Sequence, residues 1–283
     1  MIELKERDLR LLVSEPGTYY RGTRFDRAGV FRLIEKGGYV YADEWFDGGD
    51  SYVHDHVCGP SEEFVTVDFS DVVPGDVFVK PGVGLLRRPD DAPYDWFRLY
   101  EIADEGCRTA SVSEKSAEFR QVLGGIYDYS KTILLTSDSS FEIIHRMTWL
   151  ADKPLSGHFY NHNFFTFGGA AVGPGRRLDF PFAPTGSWRA AYKSVALEKQ
   201  GVRFSDKPEL PSVYMGDLRS SDGKTPYSFR LSEGERFVSV EGSAALDHFV
   251  FWANRKVACP EPYMPLCFSK GETGEWKVAY RLG

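Results

Sequence analysis

The residues 157–169 read GHFYNHNFFTFGG, and they put His158 and His162 into a run of five aromatic rings between glycines. On a strand, His158, Tyr160, His162 and Phe164 share one face. Taken alone, a histidine on an aromatic strand is more often a satisfied core residue than a reactive one. Near the C-terminus, FVFWANRKVACPEPYMPL (249–266) sets Glu261 between two prolines, with Tyr263 just beyond. Prolines stiffen the backbone around that acid. They are also common in turns, so an ordinary surface acid fits the same pattern. An imidazole and a carboxylate are the two halves of a general acid–base pair.

A third cluster, YVHDHVCGPSEEF (52–64), spaces His54 and His56 around Asp55, with Glu62 and Glu63 downstream. An HxH pair on a strand turns both rings to one face, which is a metal geometry. His54, His56 and Glu62 form the candidate ligand set of a cupin-like, metal-dependent alternative. GDVFVKPG imitates a second cupin motif, but no histidine follows it. The other reading makes this a loop whose histidines face solvent or line a ligand cleft. His145, on an apolar strand face, reads as core, and His248 beside Asp247 reads as a hydrogen-bonded structural pair. No Gly-rich phosphate loop and no nucleophile elbow is present.

The elements that carry these groups read as strands. FEIIHRMTWL places Phe141, Ile143, His145, Met147 and Trp149 on one face, and TVDFSDVV, RFVSV, LDHFVFW and WKVAYRL alternate in the same way. SVSEKSAEFRQVLGG (111–125) is the one helix candidate, with a glycine stop. Residues 170–187, with GPGRR and PFAP, read as a long loop. Glycine and proline punctuation between short alternating segments argues an all-β sandwich or barrel. Residues 1–283 are expected to form a single domain.

The formal charge is −7, and Lys and Arg do not cluster, so nucleic acid is not an expected partner and neither is an anionic membrane. No apolar run approaches a membrane span, and the charged start MIELKERDLRLLV does not read as an export signal. The four cysteines (58, 107, 259, 267) are scattered, which suits reduced thiols and a cytoplasmic location, with a disulfide left open. Aromatics at 15% favour strands and flat ligands such as sugar rings. The sequence does not speak to oligomeric state.

Together, NHNFF and ACPEPY resemble aldose 1-epimerases (galactose mutarotases). NHNFF is similar to that family's Asn-His-Thr-Tyr-Phe segment. ACPEPY, followed by a Lys-Gly-Glu turn and the closing VAYRL, resembles the family's C-terminal end, where a Glu-Pro precedes a Pro-Gly-Glu turn and a final Val-Tyr-Arg strand. TRFDRAGVFRLIEKGG (23–38) loosely resembles an N-terminal segment that turns on a glycine into a first hairpin.

The resemblance implies a large twisted antiparallel β-sandwich, the galactose mutarotase-like supersandwich, with a concave sugar-binding face. It implies interconversion of the α and β anomers of an aldose or related sugar, without a cofactor. Glu261 would take the proton of the C1 hydroxyl and His162 would protonate the ring oxygen, from opposite sides of the ring. That scheme expects Glu261 ionised and His162 protonated at neutral pH, each favoured by the other's charge. Asn161 would orient the sugar or the imidazole, His158 would line the cleft, and Tyr160, Phe164 and Trp252 would wall the site.

The family carries a further histidine upstream, where this chain has FVKPGVGLLRRPDD. Lys80, Arg87 or Arg88 could take that contact, or His54 or His56 could replace it. The family's sugar-gripping aspartate has no clear match, with Asp217 and Asp247 as candidates. Shorter sugar-phosphate relatives bind phosphate through arginines, a role open to Arg87, Arg88, Arg176 and Arg177. Two other functions stay open beside the metal reading: a non-catalytic sugar-binding protein on the same fold, and, more distantly, a polysaccharide lyase.

Overall fold

The computed structural model describes residues 1–283 and contains strands but no α-helix. Two large antiparallel sheets carry most of the chain, one of ten strands and one of six, with smaller sheets of four and three strands at the N-terminal side. This is the expected all-β sandwich. The alternating segments explain it. In the Ser140–Trp149 strand, Phe141, Ile143, His145, Met147 and Trp149 are all buried, while Arg146 points to solvent. RFVSV, HFVFW and WKVAYRL likewise lie in the strands Arg236–Leu246, His248–Ala253 and Thr273–Leu282. One core of 53 buried residues draws on both large sheets.

Side chains also tie the sheets together. From the ten-stranded sheet, the Tyr227 hydroxyl donates to Asn161 Oδ1 (2.8 Å) and the Lys131 ammonium donates to Glu62 (2.9 Å) across the interior. Tyr280 donates to Asn163 Oδ1 (3.1 Å) in the same way.

The six-stranded sheet positions the site. Its strands run in the order Pro184–Thr185, Val213–Ser220, His248–Ala253, Ala258–Phe268, Leu155–Phe164 and Gly59–Phe64. Register pairs Tyr160 with Tyr263 and Glu63, and Val250 with Glu261. Three prolines sit in the central Ala258–Phe268 strand, where missing N–H donors would normally weaken a ladder. Asn163 compensates in part. Its amide donates to the Pro260 carbonyl (2.8 Å) and to the Asn161 carbonyl (3.1 Å), stitching the two strands.

Three local expectations are corrected. Residues 111–125 form no helix. They belong to the hairpin Cys107–Val112 and Ser116–Leu123, turned at Ser113, because the buried set Ala117, Phe119, Gln121 and Leu123 has a period of two. TVDFSDVV forms one isolated bridge, Val67 to Val79, and then turns at Asp68, whose φ of 71° a short polar side chain tolerates. The loop 170–187 contains the strands Arg176–Asp179 and Pro184–Thr185. The GG at 37–38 does turn a hairpin, between Phe31–Lys36 and Tyr39–Ala42, with both glycines at positive φ. All four cysteines are free. No helix is long and apolar enough to cross a membrane.

Candidate active site

The outer face of the six-stranded sheet floors a cleft of about 560 Å³. Period-two alternation decides which residues reach it. Tyr160, His162 and Phe164 come from one strand, Glu261 and Tyr263 from the next, and Val250 and Trp252 from the third. His162 Nε2 and Glu261 Oε1 lie 3.2 Å apart, each about 5% exposed as a side chain. The His162 ring stacks flat on Phe164 (3.8 Å between centroids, 2°) and meets the edges of Phe25 and Trp252. Its Nδ1 has no partner. Hydrocarbon on three sides fixes the ring and directs Nε2 at the carboxyl.

The electrostatics correct the expected protonation states. Burial pushes the Glu261 carboxyl up to about 8, against the pull of nearby Arg24 and with the push of Glu63. Burial, and then Arg24, hold the His162 imidazole well below its usual range. Desolvation penalises both charged forms, and the pair answers by keeping one proton and little net charge. These directions favour a neutral carboxyl beside a neutral imidazole that hold one proton between them, in place of the ion pair expected from the sequence.

A second layer supports the first. Glu63, wholly buried, accepts from Lys80 Nζ on Oε1 (2.8 Å) and from Arg24 Nε on Oε2 (2.8 Å), and the Tyr160 hydroxyl bonds the same Oε2. Arg24 Nη2 donates back to the Tyr160 oxygen (3.0 Å). Tyr160 in turn stacks on Tyr263 (4.3 Å, 8°). Its neighbour Glu62 turns to the opposite face and binds Lys131, so SEEF supplies one carboxylate to each side of the sheet.

The residues singled out from the sequence divide accordingly. His162, Glu261, Tyr160, Phe164 and Trp252 come together in the cleft. Asn161 does not; one position along the strand, it points into the core and accepts from Tyr227. His158 shares the face of His162 but lies outside the cleft, half-exposed, 3.6 Å from Asp247. His56 is buried against Phe46 and Tyr19 and lines a neighbouring depression. Lys80 stays beneath the surface, spent on Glu63 and the Phe64 carbonyl. Arg87 pairs with Glu101 on the surface, Arg88 caps carbonyls of Phe69 and Val72, Arg176 is buried on Glu233, and Arg177 is exposed on its strand, so these four build no shared anion site. Asp217 accepts from the Ser187 amide, and Asp247 binds His248 as expected.

The metal set is dispersed. His54 lines the cleft, His56 faces the other depression, Glu62 is across the sheet, and residues 51–56 are turns where the HxH reading needed a strand. No group of three or more His, Cys, Asp or Glu is placed to hold a metal. Sequence reasoning missed Arg24, Trp45, Asp55, Trp96, Phe97, Arg189 and Tyr214, which complete the cleft. Most come from loops without periodicity. The only signal was the dense TRFDR charge pattern at 23–27.

No protein-family model matches this sequence, and no curated protein matches it. Solved structures do match its fold. A galactose mutarotase related enzyme from Lactobacillus acidophilus superposes with a TM-score of 0.61 at 8% identity, covering 100% of this chain and 97% of its own. A GalM/aldose epimerase homologue from C. elegans gives 0.60 at 11%, covering 100% and 98%. A galactose mutarotase-like protein from Clostridium acetobutylicum gives 0.58 at 10%, covering 99% and 94%. The chain has the galactose mutarotase-like fold over its whole length.

Proposed function

We propose that the protein is a sugar 1-epimerase, with residues 1–283 acting as one domain that binds an aldose or related sugar and interconverts its anomers. The observation that carries this reading is the His162–Glu261 dyad, held at 3.2 Å on the floor of an aromatic cleft. Opening a pyranose breaks the bond from C1 to the ring oxygen. The ring oxygen gains a proton and the C1 hydroxyl loses one. Rotation about C1–C2 and reclosure give the other anomer.

The two oxygens that exchange protons are both attached to C1, so a close-set pair can address both. One member of the dyad donates its single proton to the ring oxygen while the other accepts from the hydroxyl. Reclosure runs the same steps backwards and restores the starting proton count, so the chemistry asks for no cofactor. Each acid–base contribution is typically about 10²–10⁴-fold. Trp252, partly exposed in the cleft, offers its ring to the C–H surface of a sugar, with Trp45 and Phe164 packed behind it.

Saturation-transfer NMR of anomeric protons tests the proposal. Purified protein should accelerate exchange for at least one aldose class, and His162→Ala and Glu261→Gln should each lower that rate at least a hundredfold while staying folded. Binding without acceleration would make the protein a non-catalytic sugar binder. Retained activity in both variants would remove the dyad from the chemistry.

A further inference from the structure

The cleft floor has more positive charge than its own carboxylates balance. Lys80 is buried and Arg24 largely so, with side chains 1% and 11% exposed, and they share the single carboxylate of Glu63. That carboxylate is fully used. Lys80 occupies Oε1, while Arg24 Nε and the Tyr160 hydroxyl occupy Oε2. One edge of the Arg24 guanidinium, its Nε and Nη2 side, is spent on Glu63 and Tyr160. Its Nη1 bonds nothing in the protein, and the side chain lines the cleft and acts electrostatically on both His162 and Glu261.

No other acid of the cleft pairs with either of these cations. Asp55 faces His54 at 3.8 Å, and Glu261 lies against His162 at 3.2 Å, where burial raises its carboxyl to about 8. At the exposed rim a second cation, Arg189, sits over the Tyr214 ring at 3.9 Å and makes no ion pair. Two cations that share one buried carboxylate are only partly compensated, and a ligand that brings a second negative charge completes the balance.

We propose that the cleft takes a sugar acid, an aldose whose ring carries a carboxylate, anchored on the free edge of Arg24 and drawn in by Arg189 at the mouth. This rests on the reading of the cleft as a sugar site and names its substrate class. A guanidinium edge matches a planar carboxylate in shape and charge, and water exclusion by the aromatic walls strengthens the contact. A phosphate dianion is the poorer fit, because a single free edge must meet its larger charge with Asp55 on the same cleft. Arg189 contributes through the potential at the entrance, which is screened by salt.

The test is calorimetric binding at pH 7 of glucuronate and galacturonate, the matching neutral aldoses, and glucose 6-phosphate. A uronate should bind at least tenfold more tightly than the neutral aldose of the same ring configuration, and the preference should shrink as salt rises. Arg24→Gln should abolish the preference. Lys80 remains to neutralise Glu63 in that variant. Arg189→Ala, at the exposed rim, should reduce the preference about threefold and serves if Arg24→Gln does not fold. Equal affinity for acid and neutral sugar, tighter binding of the phosphate, no binding of any uronate, or an unaltered preference in the arginine variants overturns the assignment. The two readings fail separately. A preferred uronate whose anomers do not exchange faster sinks the epimerase and leaves the sugar-acid site standing. Accelerated exchange of neutral aldoses without preference does the reverse.

Discussion

Raising the pH from 6 to 7.5 should leave anomer exchange almost unchanged, and raising it further should switch the reaction off. The reasoning starts from proton count. Ring opening by a dyad needs one acid and one base together, so the active form carries one proton. That form is lost upward when Glu261 finally ionises, at about 8, and lost downward only when His162 takes a second proton, well below its usual range. Groups with ordinary values near about 4.3 and 6.5 would give a rate that falls about eightfold between pH 6 and 7.5. The buried dyad should lose less than about a third over that interval, then drop to about one-tenth of its plateau at pH 9.

The assay is saturation-transfer exchange at saturating sugar across pH 5.5–9.5, with the Glu261→Gln protein as the blank for hydroxide catalysis. A steep fall before pH 7.5 would mean that burial does not set these pKa values. A rate climbing tenfold per unit up to pH 8 would mean that ionised Glu261 acts alone and that another group is the acid. Either result refutes the one-proton dyad.

Glu261→Gln should also change stability with a definite sign. The carboxyl's folded value is raised above its unfolded one, so its favourable contribution is complete below about pH 4 and is lost as pH rises toward about 8, at about 1.4 kcal/mol per unit. The inactive Gln variant should therefore be more stable than the parent at pH 8 to 9 by urea unfolding, and an equal or lower midpoint there would contradict the raised value. Glu63→Gln should destabilise by about 3–5 kcal/mol, since it leaves Arg24 and Lys80 buried without an anion. A loss below about 1 kcal/mol in denaturant titration would show that the network is not held by charge. Trp252→Ala, which opens the wall beside His162 and Trp45, should weaken sugar binding roughly tenfold by calorimetry, and unchanged affinity would move the sugar elsewhere.

Strands were legible wherever hydrophobic alternation was long, as in FEIIHRMTWL and WKVAYRL, because one buried face imposes a period of two. Short windows misled. SVSEKSAEFRQVLGG carries helix-compatible residues and a glycine stop, yet its buried positions alternate, and pairing with the neighbouring strands decided the outcome. TVDFSDVV alternates on paper, but it meets only one bridging partner and turns at Asp68. Within the candidate site, His162 and Glu261 stood out by residue type and context. The same alternation that exposes His162 to the cleft turns Asn161 and Asn163 inward, where they bind tyrosines and a proline carbonyl.

By itself, then, the sequence determined that this chain is built of strands and that an imidazole and a carboxylate sit on aromatic-rich segments, because periodicity and residue chemistry are local properties. Only the tertiary structure decided that those two groups meet, that burial disfavours the charged form of each, and that Arg24 stands beside them with a free edge. Those are properties of distance and solvent exclusion between segments up to 237 residues apart (Arg24 to Glu261), and no local pattern encodes them.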